Sequence, residues 1–546
     1  MSSMHPSSYE ELMRTWHVDV PPRYNFAFDF VDTVAATDPQ RLAMIHVDDA
    51  GVRREYTMGY FAEQSSRMAN ALAGMGIGRG DTVMIIVHRR VEFWVLMLAL
   101  HKLGALGVPS PALLTAHDIV YRVQTAEIKG IVADASVQAT VEAAMPQCPT
   151  LSVFVLTGAE TAPSPWKRWE DVAAAASAQY LRPADAPGGD DPATVFFSSG
   201  TTGYPRMVLH TFTYPLGHMV TGKLWHDLRP GDVHLTVADT GWAKSVWGKF
   251  YGQWLAGATV FVWDYRGKFD PSRLLSVMAE HRVTTFCAPP TIYRFLVRED
   301  LSRYDLSALR HCTTAGELLN DSVFHEWKEK LGLSIFEGYG QTETTLQIAT
   351  FPCMEPKPGS IGKPAPGWDI VLLDETGEVC PPGVEGEICV RLSPRPVGLF
   401  REYWKAEDKT ANVMEGGVYH TGDKAWVDED GYFWFLGRVD DLIKSSGYRI
   451  GPFEVESALV SHPAVVEAAV TGVPDPDRGQ AVKASVVLAS GYTPSPELTR
   501  ELQNHVKKVT APYKYPRIVE YVTELPKTIS GKIKRAEIRA RDAKNS

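Results

Sequence analysis

"ATVFFSSGTTGYPR", Ala193 to Arg206, runs from a short apolar stretch directly into hydroxyls and glycines closed by a proline and a cation. An apolar run of this length reads as a buried strand, and the loop after it can turn its backbone N–H groups toward an anion, a concave nest. Gly200 and Gly203 supply the turns, while Ser198, Ser199, Thr201 and Thr202 add hydroxyl donors. Pro205 stiffens the exit, and Arg206 can grip a phosphate oxygen in a bidentate contact. The common nucleotide loop puts a lysine straight after its last glycine. Here Tyr204, Pro205 and Arg206 follow Gly203, so a lysine for the phosphates has to come from elsewhere.

Outward from the loop, helix-like and strand-like segments alternate. Residues 67–81, "RMANALAGMGIGRGD", read as an amphipathic helix ending in a glycine turn, and "TVMIIV" (82–87) as a buried strand. "VEFWVLMLALHKLGAL" (91–106) is a second helix, with "GIVAD" and "SVFVLTG" as further strands. A linker, "YLRPADAPGGDDP", leads into the loop strand. A second alternating block follows, with strands expected in "GATVFVW", "VTTFCAP" and "LRHCTTAG". Such alternation predicts an α/β fold of parallel sheets wrapped by helices. From about Gly359 strand–turn–strand units, "GWDIVLLDETGEVCPPGVEGEICVR", predict a small meander or barrel piece. The last hundred residues read as a separate small α+β unit. The boundary is expected at 438/439, giving units 1–438 and 439–546.

The chain has 546 residues, 45% hydrophobic and 22% charged, with a formal net charge of −10. That length calls for several packed units. The negative balance speaks against a nucleic-acid partner. The six cysteines form no C-x-x-C pair or metal-finger spacing, which suits reduced thiols in a cytoplasmic protein. The first residues carry no secretory pattern, and the apolar run 93–100 is too short for a membrane span.

Four further stretches carry chemistry. In "EGYGQTETT" (337–345), Tyr339 can stack on a purine and Glu343 can serve Mg²⁺. In "YHTGDKA" (419–425), Asp423 suits the two hydroxyls of a ribose. "GRVDDLIKSSGYRIGPFEVE" (437–456) is a turn region before a helix. In "LPKTISGKIKR" (525–535) Lys532 follows Gly531 on a turn.

In this order the five motifs resemble the adenylate-forming enzymes: acyl-CoA synthetases, peptide-synthetase adenylation domains and luciferases. "DTGWAKSVWGKFYGQW" and "TAPYKYPRIVEYVTELPKTISGKIKR" are most similar to the medium-chain acyl-CoA synthetase branch. The resemblance implies a large N-terminal domain of two helix-wrapped sheets plus a small distorted β-barrel, and a small mobile C-terminal domain. It implies ATP, Mg²⁺ and coenzyme A as reactants, a small carboxylic acid as substrate, and a monomer or homodimer. Carried over by position, Ser198 to Arg206 hold the β- and γ-phosphates. Gly316, Glu317, Gly338, Tyr339, Gly340, Gln341 and Thr342 bind adenine and the α-phosphate, with Thr342, Arg206 and Lys532 as the catalytic residues. Glu343 serves the metal, Asp423 and Arg438 the ribose, and Asp440 is the hinge. Ser446, Gly447, Tyr448 and Arg478 match coenzyme A contacts, and Arg449 faces the active site. The loop departs from the family in ending with Arg206 where a lysine is usual.

Acetate-specific relatives carry tryptophan at the position of Gly340, so a glycine there is expected to leave room for several carbons. Trp242 and Trp247, with Tyr251, are candidates for the acyl pocket wall beside Gly340 and Arg449. Two other readings compete: transfer of the acyl group to a carrier protein's pantetheine thiol, and an inactive adenylate-binding protein. The second would require Lys532, Glu343 or Asp423 to be missing, and all three are present.

Overall fold

Pro192–Ser198 and Arg206–Thr211 pair antiparallel, with Ser198 directly opposite Arg206. The expected phosphate loop therefore lies between two strands that pair with each other, and its residues 199–204 fall outside the described ones. The computed structural model describes residues 6–198, 205–438, 441–445, 448–476, 478–528 and 532–545.

The two paired strands belong to an eight-stranded sheet in which Glu402–Tyr403 pairs antiparallel with Arg206–Thr211 at one edge and the other strands run parallel, in the order Pro192–Ser198, Leu106–Pro109, Thr82–Ile86, Gly130–Asp134, Val153–Thr157 and Lys167–Arg168. A nine-stranded sheet has a parallel centre running from Leu42–Asp48 to Ile335–Tyr339, closed at both edges by antiparallel strands. Both sheets are of the helix-wrapped α/β kind that the sequence pattern predicts. Between them runs Glu92–Leu103, twelve residues all buried. A helix apolar on every side can only be a core helix, and Gly104 ends it at φ 71°.

The expected meander becomes an antiparallel sheet of Ile370–Leu373, Gly386–Arg391, Val418–Val427 and Phe433–Arg438. The strand anticipated around Val379 shrinks to one bridge, to Leu373. The final unit pairs Gly479–Leu488 with Val465–Asp475 and Ile518–Tyr521 and packs the helices Pro452–Val460 and Pro496–Val509 on them. No described helix is long and apolar enough to cross a membrane.

The core buries several cations, Lys102, Lys249 and Arg122 among them. Lys102 is 1% exposed, and its ammonium donates to Asp32 Oδ1 at 2.9 Å, Ser66 Oγ at 2.9 Å and the Ala62 carbonyl at 3.2 Å. Removing one partner of a buried pair leaves the other uncompensated. Asp32→Ala should lower unfolding free energy by about 3–5 kcal/mol, read from the shift in urea midpoint.

Candidate active site

Two buried carboxylates organise the cleft where the sheets and the antiparallel unit meet. Asp423 lies on Val418–Val427 directly opposite Arg438 and is 5% exposed. Its Oδ2 accepts from the Tyr339 hydroxyl at 2.6 Å and from Gln341 Nε2 at 2.7 Å, while Arg438 Nε stands 3.5 Å from Oδ1. Gln341 is fixed in turn, because its Oε1 accepts from Tyr419 at 2.7 Å and its amide donates to the Thr421 carbonyl. Burial pushes the Asp423 carboxyl up, and Arg438, Tyr339 and Gln341 oppose that shift. The residue expected to hold a ribose thus has one oxygen fixed by protein donors and the other turned to a guanidinium.

Glu343 is the second carboxylate. Burial raises it, opposed by the Tyr403 hydroxyl, which donates to Oε1 at 2.9 Å. Arg206 lies with its guanidinium 5.2 Å over the Tyr403 ring. Tyr403 thereby joins the loop's terminal cation to the candidate metal ligand, and no motif in the sequence pointed to it. The Glu343 carboxylate is a hard oxygen donor of the kind a divalent cation takes together with substrate phosphates, while Arg206 and Arg438 favour its ionised form.

Gly316 follows the strand His311–Ala315 with φ +99°, a conformation that glycine adopts freely. There the Lys244 ammonium donates to the Ala315 carbonyl at 2.5 Å and would touch a Cβ added at Gly316. Lys244 is another residue that sequence reasoning missed. Glu317 accepts from Thr291 Oγ1 at 3.0 Å. Lys532 lies outside the last helix, is exposed, and stands near enough to bear on the charges of both Asp423 and Lys244. The residue from the far end of the chain therefore reaches the cleft.

The structure thus gathers Arg206, Gly316, Glu317, Gly338 to Glu343, Asp423, Arg438 and Lys532 around one space. Tyr448 and Arg478 are not brought to it. Tyr448 stacks on Tyr513 at 4.1 Å and Arg478 faces Asp475, all within the C-terminal unit. Ser199, Gly200, Thr201, Thr202, Gly203, Asp440, Ser446 and Gly447 lie outside the described residues, as does the side chain of Arg449.

At the acyl side one expectation needs correction. A Cβ on Gly340 would lie 2.3 Å from Trp247 Cη2 and 2.6 Å from the Thr345 carbonyl. The room that a glycine opens is already filled by an indole from the helix Ala243–Lys249. Trp225 does the same to Gly338, 2.6 Å from its added Cβ. Trp247 is buried against the motif, and Trp242 is half-buried at the start of the same helix.

Residues 31–404 match the AMP-binding enzyme family and residues 454–532 the AMP-binding enzyme C-terminal domain. The chain belongs to the AMP-binding enzymes, in the acyl-CoA synthetase branch of the adenylate-forming superfamily. It is 41% identical to the mitochondrial acyl-coenzyme A synthetase ACSM3 of Mus musculus, over 98% of this chain and 93% of that one. It is 43% identical to human ACSM4, also named mitochondrial, over 95% of this chain and 91% of that one. Among solved structures, the anthranilate CoA ligase AuaEII in complex with anthranoyl-AMP superposes with a TM-score of 0.88 at 30% identity, covering 96% and 99% of the two chains. A benzoate CoA ligase from Burkholderia xenovorans LB400 gives 0.80 at 27% identity, covering 94% and 100%.

The Gly340 contact is directly testable. Gly340→Ala forces a methyl into a ring and a carbonyl and should cost about 1–3 kcal/mol of stability. Adding Trp247→Leu removes the ring contact and should restore part of that loss, a coupling read from urea unfolding of the two single variants and the double.

Proposed function

We propose that the protein activates a small carboxylic acid in two steps within this cleft. A carboxylate oxygen attacks the α-phosphorus of ATP, the bond to pyrophosphate breaks, and the thiol of coenzyme A then displaces AMP from the acyl carbon. The observation that carries this reading is the meeting of Asp423, Glu343, Arg206 and Lys532 in one cleft.

Each group has a task that its surroundings suit. Asp423, with Oδ2 already bonded, offers its other oxygen and the Arg438 guanidinium to the ribose. Arg206, at the base of the hairpin, clamps the departing pyrophosphate. Glu343 would hold Mg²⁺, which supplies charge neutralisation at the phosphates. Bringing an anionic carboxylate onto an anionic phosphate requires a cation between them, and Lys532 supplies it. Once the adenylate has formed, that lysine has to leave for the thiol to approach. We place the domain boundary at 438/439, with Asp440 as the pivot, so that the C-terminal unit withdraws Lys532 and presents Tyr448, Arg478, Ser446 and Gly447 to coenzyme A. That Tyr448 and Arg478 are engaged within the C-terminal unit, on Tyr513 and Asp475, supports that exchange. We read the compartment as cytoplasmic, since all six cysteines are free thiols.

An AMP-release screen across carboxylic acids with coenzyme A tests the activity. Lys532→Ala should abolish acid-dependent pyrophosphate exchange while thioester formation from a supplied acyl-adenylate persists. Equal loss of both half-reactions would rule out the exchange of domains.

A further inference from the structure

Glu387, Cys389 and His420 bring three unlike donor atoms together on the antiparallel sheet. Along Gly386–Arg391, Ile388 packs into the apolar cluster with Leu372, Ala425 and Phe433, so Glu387 and Cys389 point to the opposite face. His420 reaches that face as the direct cross-strand partner of Cys389 on Val418–Val427. Its Nδ1 lies 3.5 Å from Cys389 Sγ and 3.0 Å from Glu387 Oε2, and all three donor atoms fall within 4.8 Å of one another. No other group of histidine, cysteine and acidic side chains converges in this way among the described residues.

The spacing is that of atoms sharing one ion. Around tetrahedral zinc, with bonds of about 2.3 Å to sulfur and about 2.0–2.2 Å to nitrogen and oxygen, neighbouring ligand atoms stand roughly 3.4–3.6 Å apart. As hydrogen bonds alone the contacts conflict, because one nitrogen faces two neighbours. With a proton on Nδ1 the ring serves Glu387, and the Cys389 thiol proton then has no acceptor there. With Nδ1 bare the thiol donates to it, and the carboxylate oxygen then meets a lone pair. A cation at the centre is the one partner that all three lone pairs can share. Access is open on one side: Cys389 is buried, while the side chains of His420 and Glu387 remain 33% and 24% exposed, leaving a fourth position for water.

We propose that Glu387, Cys389 and His420 form a binding site for a borderline-soft divalent cation of the zinc class, built by the fold rather than by sequence spacing. Sulfur, imidazole nitrogen and one carboxylate oxygen suit zinc, whereas Mg²⁺ takes oxygen ligands, so the site is separate in kind from Glu343. The sulfur–metal bond forms as the thiol releases its proton to solvent, and the neutral ring keeps its proton on Nε2. The other Glu387 oxygen, Oε1, accepts from the Gly422 N–H at 2.9 Å, and Thr421 Oγ1 donates to the Ile388 carbonyl at 2.7 Å. The ion therefore braces the turn that carries Asp423.

Cobalt tests the assignment, because its spectrum reports its ligands. The full-length protein, stripped with a chelator and dialysed, should develop a thiolate-to-cobalt charge-transfer band and strong tetrahedral d–d bands on titration with Co²⁺, saturating at one ion per chain and bleached by Zn²⁺. Cys389→Ser should abolish the charge-transfer band. It and His420→Gln should each weaken Zn²⁺ binding by about 100-fold or more, at or above the loss that removing an outer partner brings. Cys380→Ser, whose thiol lies near Cys389 without belonging to the set, should keep the band. In chelator the urea midpoints of the variants report their folding, and added Zn²⁺ should raise the midpoint of the unaltered protein only. Absence of the charge-transfer band in the unaltered protein, its survival in Cys389→Ser, or equal stabilisation of protein and variants by Zn²⁺ would overturn the proposal.

Discussion

Asp423 is a carboxylate buried in a cleft that must receive a polyanion, and the rest of the site is organised around that conflict. Burial alone would favour its neutral form, which could not serve a ribose as a strong acceptor. Tyr339 and Gln341 aim donors at one oxygen, and Arg438 stands at the other because the two residues are cross-strand partners. The antiparallel register therefore places the guanidinium that opposes the upward push of burial on Asp423. Glu343 solves the same problem differently, through Tyr403 and the nearby Arg206.

Arg438 stands against Asp423, whereas Arg206 rests on Tyr403 near Glu343. A guanidinium spread over the Tyr403 ring is a fixed clamp. Lys532, by contrast, is exposed on the small C-terminal unit and is electrostatically felt at Asp423.

What the sequence disclosed follows from how far each feature extends along the chain. The alternating helices and strands were legible, and Asp423, Glu343 and Lys532 could be singled out because they sit in short motifs whose chemistry is local. Tyr403 was not, because its role exists only where a two-residue strand pairs with Arg206–Thr211 and brings its hydroxyl to Glu343, sixty positions away. Lys244 was missed for the same reason, its partner being the Ala315 carbonyl of a different strand. The bridge at Val379 shows the opposite error: a good strand pattern without neighbours enough to extend it.

Gly340 carries that lesson furthest. Read along the chain, a glycine where relatives have tryptophan is an empty space. In the folded protein Trp247 enters from another helix and touches the glycine's α-carbon region, so indole is present at that wall after all, delivered from outside the motif. The space beside Gly340 is consequently a property of two segments together, and neither position alone reports it. Because the indole comes from that direction it also meets His218, and it ties the motif's backbone to a wall of imidazole and phenol. A tryptophan borne by residue 340 itself would arrive from the motif's own strand and would not need that neighbour. The source of the indole, more than its presence, therefore decides which side chains pack behind the motif.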